Sequence, residues 1–425
     1  MAKTTEAGAI PRLRFPEFRA VDSWIDTRLG DLFSERQETG YKSLPLLSVT
    51  EADGVVPQEQ TNRRNVSATD KSRYLRVVPG DIAYNTMRMW EGRSARVSIE
   101  GVVSPAYTVC VPGAATDSHF FAYYFKTETL IGRFRQLSQG LVKDTLNLKY
   151  DAFSRIRASV PDVKEQRRIA DCLKSLDDVI AAQAQKVEAL KAHKRGLMQQ
   201  LFPCEGETVP RLRFPEFRYS ADWTVVPLGE LLQGKPEYGV NAPAVPYSDG
   251  LPTYLRITDI DENGRFITEG KASVEFEVTD DDYLMEGDIV LARTGASVGK
   301  SYRYRPEDGR LVFAGFLIRI RPNQNRILPA FLSSFFTTRR YWDWIRLTSA
   351  RSGQPGVNAT EYAALPIPIP PRVDSPSELT EQERIGECLM AIDVQIAIAI
   401  DRLSRLRRHR QGLLQQLFPT IEGEA

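Results

Sequence analysis

The sequence predicts an α+β protein: two mixed, strand-rich globular heads joined by two long antiparallel helices packed as a coiled coil, the whole built as a pseudo-two-fold internal repeat. Three observations carry this. The segment at 165–203, EQRRIADCLKSLDDVIAAQAQKVEALKAHKRGLMQQLFP, returns 216 residues later at 381–419 as EQERIGECLMAIDVQIAIAIDRLSRLRRHRQGLLQQLFP. The string PRLRFPEFR at 11–19 recurs unchanged at 210–218. Between these near-constant ends the two interiors differ in length and residue type, yet both stay rich in β-branched and aromatic runs bounded by Gly, Pro and Asp.

The long segments come first because they organise the rest. In the first, Ile169, Leu173, Leu176, Ile180, Gln183, Val187, Leu190, Lys194, Leu197 and Leu201 follow one another in alternating steps of four and three, a heptad seam. The second repeats it as Ile385, Leu389, Ile392, Ile396, Ala399, Leu403, Leu406, Arg410, Leu413 and Leu417. Each segment is a predicted helix of about 37 residues, roughly 55 Å long, and two such helices with matched seams should pack on each other. Asp162 with Glu165 and Thr380 with Glu383 read as capping boxes at the starts, and Pro203 and Pro419 as stops. The polar or small seam positions (Gln183, Ala399) and the basic ones (Lys194, Arg410) are candidates for fixing register. Gly196 and Gly412 suggest close backbone approach or a shared kink.

The repeat extends into the heads. Trp24 and Trp223 keep the offset of 199, as do Leu29-Gly30 and Leu228-Gly229; Gly80-Asp81-Ile82 matches Gly287-Asp288-Ile289 at 207, and Asn147 matches Asn358 at 211. The growth from 199 to 216 places 17 extra residues inside the second copy, the pattern of a constant frame carrying two different working heads. Predicted strands are LLSVTEA and YLRVVPGDIAYN in the first head, and TYLRITDI, DIVLAR and LVFAGFLIRIRP in the second, with helical patterns near 119–138 and 328–349. The boundaries follow: a head at 1–162, a helix at 163–203, a second head at 204–378, a helix at 379–419 and a tail at 420–425. With the helices antiparallel, each PRLRFPEF segment should dock on a helix end by the same contacts.

Composition limits the function. Lys and Arg number 56 against 55 Asp and Glu, so any nucleic-acid role must rest on a local patch rather than a global basic field. No apolar run is long enough to span a membrane and no signal peptide is legible, which predicts a cytoplasmic protein. Cys110, Cys172, Cys204 and Cys388 have no metal-ligand spacing and read as buried thiols. Only His119, His193 and His409 are present, so no Ser-His-Asp set or metal cluster is expected. GASVGKS at 295–301 has three residues between its glycines where a phosphate-binding loop needs four. SPAY at 104–107 is one residue from an amino-methyltransferase tetrapeptide but lacks a glycine-rich cofactor loop. The chain by itself is expected to be non-catalytic, with no metal.

What the heads do offer is basic, amide and aromatic residues at turns. In the first these are Arg63, Arg64, Asn85, Arg88, Trp90 and Arg93; in the second, Arg256, Arg293, Thr294, Ser297, Lys300, Arg351, Ser352, Gln354 and Asn358. Arg suits guanine O6 and N7, Asn and Gln suit adenine N6 and N7, and Lys, Ser and Thr suit phosphates. Any one of these could be a solvated loop residue; as a set on paired heads they point to duplex DNA.

The chain resembles the specificity subunit of type I restriction–modification systems. The resemblance is carried by the tandem PRLRFPEF segments, the EQ-x-R-I-x-x-C-L helix starts, the HKRGLMQQLFP and HRQGLLQQLFP ends, MRMWEGR and GVVSPAY in the first head, and GDIVLARTGASVGK and RSGQPGVN in the second. It implies two target recognition domains, each reading one half of a bipartite, asymmetric DNA site, with the helix pair fixing the unread gap. It further implies two modification (methyltransferase) subunits as partners, which carry S-adenosylmethionine and methylate adenine, and restriction (motor-nuclease) subunits that can join. By the same resemblance Arg88, Trp90 and the loops at 295–300 and 353–358 lie near DNA. A single-chain DNA methyltransferase and a two-headed scaffold with no DNA role remain the alternatives.

Overall fold

The computed structural model describes residues 9–21, 23–50, 54–61, 70–140, 146–350, 353–371 and 380–420. The chain forms two compact units, one made of Met1–Ala184 with Asp401–Ala425, the other of Gln185–Ile400. Each unit therefore takes one head together with part of each long helix. The helices run over Val163–Leu201 and Glu381–Leu417.

Within the first unit, Ile169, Ala170 and Leu173 near the start of one helix share a core with Leu417 and Phe418 at the end of the other. Further along, Arg410 donates through Nε to Asp177. The order of these contacts makes the helix segments antiparallel. The second unit repeats the arrangement: Met198 and Leu201 share a core with Ile385 and Leu389, and Lys194 Nζ donates to both carboxylate oxygens of Asp393, at 2.7 and 2.8 Å. Asp177 and Asp393 are 216 residues apart, as are Lys194 and Arg410, so one ion pair occurs twice with its halves exchanged. Both pairs are partly exposed, where an ion pair contributes no more than about 1 kcal/mol; what they add is register, because a slip of one residue separates the charges. Gly196 and Gly412 do not mark close approach, since a Cβ built at either meets nothing within 4 Å.

The PRLRF segments tie the helices to the heads. Leu13 N donates to Gln416 O at 2.9 Å, and Leu212 N to Gln200 O at 2.9 Å, each on the closing turn of a long helix. One residue on, Arg14 grips Glu165 with two donors of one guanidinium edge, Nε and Nη2 (2.8 and 2.7 Å), and Arg213 grips Glu381 likewise (2.8 and 2.8 Å). These side chains are buried. Glu165 is thereby turned away from the expected capping box: Asp162 alone caps the first helix, accepting from Glu165 N at 3.1 Å, whereas Thr380 and Glu383 close a full reciprocal box on the second. The adjacent glutamines hold the heads. Gln166 accepts from Asp117 N at 2.9 Å and Gln382 from Leu328 N at 2.9 Å, in each case at the start of a short head helix.

Each head is built on the same antiparallel sheet. In the first, the strands run in the order Phe33–Glu35, Tyr107–Pro112, Ile82–Asn85, Ser94–Arg96; in the second, Glu237–Tyr238, Leu317–Ile320, Ile289–Ala292, Ser301–Arg303. A two-stranded ribbon beside it is also repeated, pairing Ile25 with Val160 and Thr224 with Ile369. The expected helical stretches are each broken in two, as Ser118–Tyr124 and Glu128–Leu137, and as Pro329–Phe335 and Arg339–Thr348. The heads differ in what is added. The first carries two strand pairs joined by a single parallel bridge between Leu46 and Val102, whereas the second carries a four-stranded mixed sheet containing a parallel pairing of Thr253 with Leu311.

The repeated Gly-Asp-Ile stands at the entry to the second-placed strand pair. Gly80 and Gly287 adopt left-handed φ values of 103° and 95°, which glycine tolerates without a Cβ clash. Asp81 then accepts from Arg36 Nε and Val78 N, and Asp288 from Met285 N. Burial pushes the Asp288 carboxyl above its usual range, against the pull of Arg319 and Arg321.

Removing one partner of a buried pair strands the other charge. Arg14→Met should destabilise the first unit by about 3–5 kcal/mol in urea unfolding, and Arg213→Met the second by a similar amount, while Arg14→Met combined with Glu165→Leu should recover most of the loss.

Candidate nucleic-acid interface

In each head four of the candidates, Asn85, Arg88, Trp90 and Arg93 in the first and Arg293, Thr294, Ser297 and Lys300 in the second, lie on or at the edge of one element, the loop joining the third and fourth strands of the repeated sheet. In the first head this loop follows Ile82–Asn85 and returns into Ser94–Arg96; in the second it follows Ile289–Ala292 and returns into Ser301–Arg303. The two strands pair antiparallel in both. GASVGKS therefore closes a hairpin, where a phosphate-binding loop would open a helix, and Gly295 and Gly299 serve its turn with φ of 76° and 87°.

In the first head the loop is held by its own side chains. Asn85 Oδ1 accepts from Met87 N at 3.0 Å. Arg88 and Arg93 converge on Glu91 at 3.0 and 2.9 Å, leaving one net positive charge among the three. Trp90 is only 7% exposed, and its indole N–H donates to Met87 O at 2.9 Å. It anchors the loop and offers no open face for a base to stack on. Arg135, from the helix Glu128–Leu137, lies over the Trp90 ring at 5.6 Å. Arg63 and Arg64 fall outside the described residues.

In the second head the loop is braced from below and from the side. Tyr362 Oη donates to Ala292 O at 2.8 Å and Tyr341 Oη to Gly299 O at 2.7 Å, one at each end of the loop. Both tyrosines are fully buried, and burial raises both hydroxyls well above their usual range. The 353–358 segment is laced to the loop: Val357 N donates to Arg293 O at 2.8 Å and Gly295 N to Pro355 O at 3.0 Å, and Thr294 bridges Gly356. The first head has the same joint, Leu148 N donating to Thr86 O at 2.8 Å. Ser297 closes the turn Gly295–Ser297, and its carbonyl accepts from Lys300 N. Gln354 is exposed near Gly295. Arg351 and Ser352 lie outside the described residues.

Three of the candidates are engaged in holding the fold. Arg256 makes a two-point contact with Asp259 (2.9 and 2.6 Å). Asn358 caps the helix Ala359–Ala363, its Oδ1 accepting from Glu361 N at 2.9 Å. Lys300 Nζ donates to Ile260 O, which draws the 256–260 segment against the loop. Three residues the sequence reading passed over belong to the same surfaces: Arg135 in the first head, and Tyr238 and Phe316 in the second. Phe316 was hidden inside an apparently continuous strand, and only Gly315 signalled the turn that brings it out.

Among the described residues no group of three or more His, Cys, Asp or Glu could hold a metal, and the four cysteines are unpaired; Cys110 is buried and the others half-buried. Among the described residues no helix is long and apolar enough to cross a membrane.

The architecture has known counterparts. A chain from a solved structure of the type I restriction–modification system, described for its complex assembly and conformational transition, superposes with a TM-score of 0.55 at 16% identity, over 93% of this chain and 97% of that one. The type I restriction–modification S subunit from M. genitalium superposes with a TM-score of 0.56 at 14% identity, over 97% and 100% of the two chains. The fold is thus that of a type I specificity subunit. Residues 221–408 match the family described as type I restriction modification DNA specificity domain. Two curated relatives from Methanocaldococcus jannaschii agree: the type I restriction enzyme MjaX specificity subunit, 26% identical over 138 residues (32% of this chain, 31% of the relative), and the MjaVIII specificity subunit, 23% identical over 211 residues (49% and 43%). The matched stretches span less than half the length of either relative. Fold, relatives and the match over residues 221–408, which covers less than half of this chain, are all similarities to specificity subunits of type I restriction–modification systems.

Losing the buried Tyr341 hydroxyl takes from the Gly299 carbonyl the donor it has, whereas the Ala292 carbonyl keeps Gly299 N when Tyr362 loses its own. Tyr341→Phe should cost about 1–3 kcal/mol and raise amide hydrogen exchange across 293–299, with the first head's exchange unchanged.

Proposed function

We propose that this chain is the DNA sequence-reading subunit of a type I restriction–modification complex. Each head reads one half of a bipartite asymmetric site, and the helix pair, read as an antiparallel coiled coil joining two repeated domains, sets the gap between the halves. The observation that carries this reading is the placement of four candidates per head on the same hairpin loop of the same sheet, in two heads whose frame contacts are alike and whose added strands differ. A constant frame with a variable loop suits a protein that must hold two different base readers in one geometry. The family match over residues 221–408 supports it.

The chain is proposed to be non-catalytic and to work in the cytoplasm. Two modification subunits would dock on it, hold S-adenosylmethionine and methylate adenine flipped from the duplex; restriction subunits would join the same assembly. The near-neutral charge of this chain fits a protein whose partners share the neutralisation of phosphates, so that its binding alone is weak and salt-sensitive. A docking face is suggested by the second helix, where Met390, Val394 and Ile398, four residues apart, are 43, 57 and 63% exposed. The equivalent positions of the first helix are Lys174, Asp178 and Ala182, so the face is one-sided.

Co-expression with the modification subunit in a host lacking adenine methylation should yield methylated adenines in a two-part motif with a fixed unread gap. A soluble, assembled complex that leaves no motif would refute DNA reading and favour the scaffold alternative. Val394→Asp with Ile398→Asp should reduce the modification subunit recovered per chain on co-purification; unchanged stoichiometry would remove this face from the docking site.

A further inference from the structure

The second head contains an arginine held ready for an outside acceptor. The Arg293 guanidinium lies over the ring of Tyr238, 4.7 Å from its centroid. Both partners are fixed through the backbone or a hydroxyl. Arg293 N donates to Phe316 O at 3.0 Å, and its carbonyl accepts from Val357 N at 2.8 Å. Tyr238 belongs to the strand Glu237–Tyr238, paired with Ile318, and its hydroxyl accepts from Ala359 N at 3.2 Å.

Charge pairing sets Arg293 apart from the other described candidate arginines. Arg88 and Arg93 share Glu91, Arg256 is paired with Asp259, and Arg319 with Glu237. Among the described residues no carboxylate pairs with Arg293. A guanidinium held over a ring face by cation–π attraction does not use its N–H donors there, which leaves them for the bidentate recognition that its fork geometry suits.

Beside it stands an exposed apolar group. Residues 314–317 form a tight turn, Leu317 N donating to Ala314 O at 2.8 Å, and Gly315 N donates to Val240 O at 2.7 Å. Phe316, near the tip, is 61% exposed. The turn packs so closely that a Cβ on Gly239 would sit 2.2 Å from Phe313 O, so the position of Phe316 is set by a rigid corner. One surface therefore offers a guanidinium with no carboxylate partner and an exposed ring, joined through the backbone bond from Arg293 N to Phe316 O.

We propose that Arg293, seated on Tyr238, reads a guanine in the major groove of the second half-site, and that Phe316 packs on the apolar edge of a neighbouring base, such as a thymine methyl. Guanine O6 and N7 present the two acceptors that fit an arginine fork, and the thymine methyl is the apolar feature of that groove. The inference rests on the DNA-reading function proposed above and names the residues that would carry it in this head.

The test uses the full chain assembled with its modification subunit, and selects bound duplexes from pools in which each half-site is randomised in turn. The wild-type complex should prefer guanine at one position of the second half-site. Arg293→Ala and Tyr238→Leu should both reduce that preference by about 5- to 150-fold, Tyr238→Phe should retain it, and Phe316→Ala should relax an adjacent position. First-half preferences should be the same in all of them. Should Arg293→Ala fail to assemble, Arg293→Lys keeps the charge and stem without the fork and carries the same test. Unchanged second-half preferences, or a loss of binding equal for every sequence, as for a phosphate contact, would overturn the assignment while leaving DNA reading intact. A wild-type complex with no preference in either half would instead refute DNA reading itself.

Discussion

The buried contact between an arginine of PRLRF and the first glutamate of a long helix is the constraint on which the rest depends. Arg14 with Glu165, and Arg213 with Glu381, place two full charges where water is nearly excluded. Such pairs add little net stability over an apolar substitute, because desolvation offsets most of the attraction. Their effect is to penalise every arrangement in which the charges fail to meet. The segment before each head, the start of one helix and the end of the other are thereby required to come together in one way only, within each unit.

From that joint the frame builds outward by packing. The residue after each helix, Phe202 or Phe418, enters an aromatic cluster containing the conserved-offset tryptophan of its own unit, Phe202 lying 6.1 Å from Trp223 and Phe418 stacked on Tyr124 at 5.0 Å beside Trp24. The glutamine after each buried glutamate holds the start of a head helix. Heads are thus set on the frame by contacts that do not involve their loops, which leaves those loops to differ.

Much of this was legible in the residues. The heptad steps and matched offsets foretold two long helices and the repeated docking of PRLRF, because periodicity and identity survive without knowledge of tertiary context. The basic seam positions were visible too, though not their partners: Asp393 and Asp177 stand off the apolar seam, and only the antiparallel register brings them opposite Lys194 and Arg410. The site was read less well. Sequence marks an arginine but not its neighbours, so Arg256 could not be told from Arg293, although one is paired with Asp259 and the other lies on Tyr238. Trp90 was expected near DNA, and its ring is a buried anchor whose indole N–H a short turn folds onto the Met87 carbonyl. Asn358 looked like a base reader and is a helix cap. In each case a contact from a distant or closely following residue decided the role, and local pattern does not encode it.

The repetition of PRLRFPEFR letter for letter has a kinetic side. During folding, two indistinguishable segments seek two near-equivalent helix ends, and nothing in the nine residues themselves tells one destination from the other. A segment captured by the wrong end satisfies its local contacts fully while the intervening head is threaded incorrectly, a trap of the kind expected in repeat proteins. Captured by another molecule, it yields an exchanged assembly whose abundance rises with concentration. The same economy that builds one joint twice makes slow refolding and concentration-dependent oligomers an intrinsic hazard of this chain, with the order of synthesis, first copy before second, as the natural safeguard.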